Sequence, residues 1–223
     1  MKLHVIPAAL VLVSAAIYAS PSMAFGFPSI PGISGSASSG AGVDVDSLTK
    51  QQADLLVTVS ASLRNLSNAQ VAMANALDLK DAAAIAQSNG DSLAAGDLTG
   101  KDQMEKVVES SVSVDKEIAD KIAQGGALSS DSKAIFAKSL VPYGLGSVGM
   151  VAAAKKAANA GQSLMHTMDP TVLFKLGSLL YVAKEAPTLI SSFSGDTGHI
   201  ISFASAQGID TSQLKTAAAK LGD

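Results

Sequence analysis

The sequence predicts an all-α chain: a single helical bundle of five or six helices with kinked C-terminal helices, preceded by a flexible leader. Three observations carry that class. Leu56, Val59, Leu63, Leu66, Gln70, Met73 and Leu77 recur at alternating steps of three and four, the spacing that stacks side chains along one face of a helix. Met104, Val107, Val108, Ser111, Val114, Ile118 and Ile122 make a second stripe at helical spacing, backed by opposite charges four residues apart. The strand template fails, because the alternation of Leu55, Val57 and Val59 is lost at Asn65 and Asn68, while the helical period runs on to Leu77.

The chain opens with Lys2, an apolar run broken by His4, Pro7 and Ser14, and the small-residue site Ser22-Met23-Ala24. These are the three parts of an export signal, and the run is too short and interrupted to span a bilayer. Residues 1–24 therefore read as a signal peptide and the chain as periplasmic or secreted. Residues 25–43, rich in Gly, Ser and Pro with Phe25, Phe27, Ile30 and Ile33 scattered through them, read as a flexible leader. The bundle is expected over residues 44–223.

Asp44 and Asp46 precede the first helix, and Thr49 with Gln52 has capping-box spacing. Asp-x-Asp also resembles a calcium loop, but the turn glycine and the distal Glu are missing. The seam would be roughly 32 Å long at about 1.5 Å per residue, with the helix extending to about Leu79, or through Asp81 to Gln87 before Asn89-Gly90 ends it. Its flanks, Ser60, Ser62, Ser67, Ala69, Ala74 and Ala76, are small and uncharged, which favours close packing within one bundle over a dimeric coiled coil.

A second helix is expected over 101–124, with Asp102 and Lys106, Lys116 and Asp120, and Glu117 and Lys121 on its solvated face and Gly125-Gly126 stopping it. A third begins at 129–131 and breaks or kinks at Pro142. A fourth carries Gly149, Ala153, Ala157 and Gly161, a ridge of small residues that admits another helix closely. Residues 139–154 hold no charge; they are short for a membrane span and read as a buried core segment. Asp169-Pro170 starts a fifth helix, apolar on most sides through Val172, Leu173, Phe174, Leu176, Leu179, Leu180, Tyr181 and Val182, and kinked or ended by Pro187. Residues 195–198 read as a loop, and Asp210 with Gln213 caps a last short helix.

Composition narrows function. The chain lacks cysteine, which removes disulfides, thiolate nucleophiles and Cys-ligated metals. A formal charge of −3, no Trp and one arginine, Arg64, leave no basic stacking surface for nucleic acid. Gly144-x-Gly146-x-x-Gly149 matches the dinucleotide fingerprint in letters but follows no buried strand. Asp196-Thr197-Gly198 spells the aspartic-protease triplet without a second copy or a sheet. His166 and His199 are the histidines beyond the signal, and neither accompanies a nucleophile elbow. Met165, His166 and Met168 form a soft cluster suited to Cu(I), with core packing plus a loop as the simpler reading.

The expectation is a non-catalytic, exported bundle, with no cofactor or metal implied, that binds an envelope protein or a hydrophobic small molecule. The lining of its cavity is expected from Gln70, Tyr143, Met150, Phe174 and Tyr181. The alternative is a membrane-active bundle that inserts residues 139–154 into a bilayer. Gln70 is the polar member of an apolar seam, so it either fixes the register of the bundle or faces a polar pocket.

Overall fold

A computed structural model describes residues 45–96, 98, 100–164 and 170–221. The expected signal peptide and leader, Asp44, Asp169 and the Met165, His166 and Met168 cluster lie outside the described residues.

The described chain is an all-α bundle without strands: α1 (Val45–Ala76), α2 (Lys80–Ala95), α3 (Lys101–Ala123), α4 (Ser130–Leu164), α5 (Pro170–Lys175), α6 (Gly177–Ala206) and α7 (Ser212–Ala218), closed by a 3-10 turn at Ala219–Leu221. α1 lies chiefly against α4 and α2, α4 also against α6, and α3 against α6, α2 and α1. The heptad seam is thus an intramolecular spine. Val59, Leu63, Leu66, Gln70, Met73 and Leu77 are all buried, and only Leu56 is half-exposed. Each such Leu buried contributes about 1.5–3 kcal/mol relative to exposure.

α4 comes close to its neighbours at glycines, of which Gly161 belongs to the small-residue ridge and Gly146 precedes it. A Cβ on Gly146 would stand 2.6 Å from Leu66 Cγ and 2.9 Å from the Ser62 carbonyl oxygen, and one on Gly161 would stand 2.8 Å from Ala183 Cβ. These glycines let α4 sit directly on α1 and α6. The Gly144, Gly146 and Gly149 pattern therefore lies within a helix as packing surface, not in a phosphate-binding loop.

Several expected boundaries move. α1 ends where Asp78 takes a left-handed φ of 59°, and Asn89-Gly90 stays helical inside α2. Buried Asn89 donates through Nδ2 to Ser110 Oγ at 3.0 Å, a tertiary bond that offsets the pair's turn preference. α2 ends instead at Gly96, left-handed at φ 81°. Thr49 is already inside α1, where its Oγ1 donates to the Val45 carbonyl, so it does not cap. Gln52 reaches across the bundle, with Nε2 donating to the Lys175 carbonyl at 2.9 Å and Oε1 accepting from Leu179 N at 3.3 Å. It clamps the α5–α6 break.

Pro142 and Pro187 lie inside α4 and α6 without ending either helix. A proline in a helix interior costs about 3 kcal/mol. The buried turns on both sides, Leu140 and Tyr143 around the first and Ala186 and Leu189 around the second, hold the axis through it. The expected third and fourth helices are one. Residues 195–198 are also helical, with Thr197 buried. The expected fifth helix divides at Leu176, and its N-terminal piece, α5, buries no side chain.

Candidate functional site

The centre of the bundle holds a closed polar cluster drawn from three helices. On α1, Gln70 Nε2 donates to the Ser111 carbonyl at 2.8 Å, to Ser111 Oγ at 3.0 Å and to Asp115 Oδ1 at 2.9 Å. Ser111 Oγ donates back to Gln70 Oε1 at 3.3 Å. From α4, the Tyr143 hydroxyl donates to Asp115 Oδ2 at 3.1 Å. None of the four is more than 1% exposed.

Local sequence explains the geometry. Ser111 and Asp115 are four apart on α3 and stack on one face toward α1. Gln70 occupies a seam position that points into the core for the same reason as Leu66 and Met73. A buried charge without a counter-ion is costly, and burial pushes the Asp115 carboxyl up to about 7. The Gln70 donor pulls against that rise, Asp196 on α6 adds to it through like charge, and the Tyr143 donor also pulls against it. Tyr143 is itself raised well above the usual phenol value, first by burial and then by the negative charge of Asp115 and Asp196. Asp196 is raised by burial, which His199 opposes and Asp120 assists.

One residue of this cluster is illegible in the apolar stripe alone. Val108, Ser111, Asp115, Ile118 and Ile122 form a three-four seam on α3, and Asp115 is its charged member. The charged pairs named for this helix do not include Asp115. Of those pairs, Lys116–Asp120 closes at 2.6 Å, and Lys101–Glu105 adds another at 3.3 Å.

The five residues expected to line one cavity fall in two places. Gln70 and Tyr143 meet through Asp115. Met150, fully buried on α4, packs in the core. Phe174 and Tyr181 border a separate surface groove of ≈ 590 Å³, open to solvent, between the start of α3 and the α5–α6 junction. Leu173 and Leu180 also line it, together with charged Lys101, Glu105 and Lys184. Phe174 is 90% exposed there. Two further open grooves, one bordered by Asp54, Thr58 and Lys156 and one by Ser92, Gln103 and Lys106, contain none of the five.

The aspartic-protease triplet lies on α6, with His199 exposed. Among the described residues no three His, Asp or Glu side chains gather as metal ligands would. Comparison with known proteins finds no match to a family model, a curated protein or a solved structure.

Proposed function

We propose that the chain is an exported, non-catalytic helical bundle that binds a protein partner in the cell envelope through the face around Phe174. One observation carries this reading: a 90% exposed phenylalanine on a short helix with no fully buried side chain, beside an open groove lined by apolar and charged residues. Aromatic anchors ringed by polar groups are the energetic centres of protein interfaces. A carried hydrophobic molecule would need an enclosed apolar cavity, whereas the grooves described above are open and the central polar cluster satisfies itself. Export rests on the residue pattern of 1–24.

A photo-crosslinking residue at position 174, compared with one at exposed Val57 on α1, tests the reading in envelope extracts. A discrete adduct from 174 and none from 57 is expected. Lipid or another apolar molecule in a solvent extract of the purified chain, with no adduct, would replace the partner by a carried ligand.

The membrane-active alternative has its own observation. Ser130–Gln162 is the one stretch among the described helices long and apolar enough to cross a bilayer, and half of its most apolar window is buried within the bundle. Insertion of 139–154 would pull Tyr143, Ser147 and Met150 out of the core. Peripheral contact through Phe174 demands no such opening. Flotation with liposomes at neutral and acidic pH separates these cases: a chain that stays with the soluble fraction at both excludes insertion.

A further inference from the structure

A second buried hydroxyl adjoins the central cluster. Ser147, one turn after Tyr143 on α4, is fully buried, and its Oγ makes no hydrogen bond of ordinary geometry, though it lies close enough to the Tyr143 hydroxyl to oppose that group's upward shift. A buried hydroxyl without a full partner is unfavourable, so its retention beside a closed network calls for a state in which it is used.

Protonation of Asp115 supplies that state. With the carboxylate ionised, Oδ1 accepts from Gln70 and Oδ2 accepts from the Tyr143 hydroxyl. When solvent delivers a proton to Oδ2, that oxygen becomes a donor and the Tyr143 oxygen becomes its acceptor. The phenolic hydrogen must then turn elsewhere, and Ser147 Oγ is the buried acceptor one turn away. Gln70 keeps its bond to Oδ1 throughout. One proton is taken up, the phenolic hydrogen reorients, and the Asp115 Oδ2, Tyr143 and Ser147 oxygens are joined in one chain.

The ionised state differs in one respect that reaches beyond the cluster. The groups bearing on the Asp115 carboxyl are Tyr143 from α4, Asp196 from α6 and the neutral Gln70 amide from α1, while α2 meets α3 through neutral Asn89 and Ser110. No cation stands among them. His199 acts on Asp196 from the exposed side and Asp120 opposes it. Ionisation therefore places a buried negative charge opposite a second carboxyl across the α3–α6 contact.

We propose that Gln70, Ser111, Asp115, Tyr143 and Ser147 form a proton-operated latch inside the bundle, closed when Asp115 is protonated and loosened at the α3–α6 packing when it is ionised.

The test follows carboxyl and tyrosine-ring carbons by NMR in the intact chain between about pH 4 and pH 9. One Asp carboxyl should titrate near neutrality and vanish in Asp115→Asn. The Tyr143 ring, assigned with Tyr143→Phe, should shift with the same midpoint. Ser147→Ala should lower that midpoint by roughly half a unit to one unit, because it removes the acceptor used only in the protonated state. Amide opening in α3 should rise about tenfold from pH 6 to pH 8 after correction for intrinsic exchange, and this rise should be absent in Asp115→Asn. An Asp115 midpoint in the ordinary carboxylate range, a Tyr143 ring that does not follow it, a Ser147→Ala midpoint equal to wild type, or a pH-independent α3 opening would each overturn the latch.

Discussion

The Gln70 amide nitrogen and the Asp115 carboxylate oxygen stand 2.9 Å apart in the middle of the bundle, on helices that place them 45 positions apart in the chain. That contact decides between the two readings of Gln70. Its donors are spent on Ser111 and Asp115, so it fixes α3 against α1 at one register. A shift of either helix by one residue would leave a carboxyl and an amide buried without partners.

Gln70→Leu tests the register role. The apolar side chain leaves Asp115 Oδ1 and the Ser111 carbonyl without their Gln70 donor, and the cost at neutral pH should be about 2–3 kcal/mol. Because the Gln70 hydrogen bond lowers the Asp115 pKa, the variant should also titrate at higher pH than wild type. Equilibrium urea unfolding and the Asp115 carboxyl titration measure both. Unchanged stability would mean that the amide serves something other than the bundle.

Two glycines make a contrasting pair. Gly146→Ala drives a Cβ into Leu66 Cγ and the Ser62 backbone, and overpacking of that kind typically costs about 1–3 kcal/mol. Gly195→Ala, in the exposed stretch of α6 with nothing within 4 Å of the new carbon, should instead stabilise by about 0.5–1 kcal/mol through helix propensity. Thermal unfolding of the two variants should move in opposite directions.

Phe174→Ala should leave the fold untouched, with a stability change within about 0.5 kcal/mol, as for surface substitutions generally. It should also abolish the crosslink expected from the groove when the photoreactive residue is moved to a neighbouring position such as Leu173. A loss of several kcal/mol would show that Phe174 is packed in solution and would remove the anchor from the proposed interface.

The sequence carried the elements whose logic is local. The α1 seam and the α3 stripe follow from three-four spacing, and the stop at Gly125-Gly126 follows from backbone freedom, realised at φ 74° and 124°. Asp210, read as a cap, sits one residue before the N-cap Thr211 and accepts from Ser212 N at 2.9 Å, a bond that holds its carboxyl below the usual range. What local pattern misjudged was decided at a distance. Asn89-Gly90, Pro142, Pro187 and residues 195–198 all carry turn or break chemistry, yet each sits between turns buried against other helices, and their combined burial exceeds the local penalty. Gln52 has capping spacing but finds its partners at Lys175 and Leu179. The site was half legible: Gln70 stood out as a polar seam residue and Tyr143 was expected as cavity lining, whereas Asp115 was not read at all, since it directly precedes the charged pairs at Lys116 and Glu117.

The most direct measurement is the pH dependence of unfolding free energy for wild type against Asp115→Asn. An unfolded aspartate titrates near 3.9, and the folded Asp115 titrates at about 7. Below about pH 4 the carboxyl is protonated in both states and contributes no penalty. As pH rises toward 7 the unfolded chain ionises while the folded chain holds its proton, so stability falls continuously, and above about 7 the loss is complete. A difference of about three pKa units corresponds to about 4 kcal/mol. The account predicts that the variant's advantage grows from near zero at pH 4 toward that size at pH 8, with the two curves diverging between. Parallel curves across that range would contradict a buried, proton-holding Asp115 at the centre of the bundle.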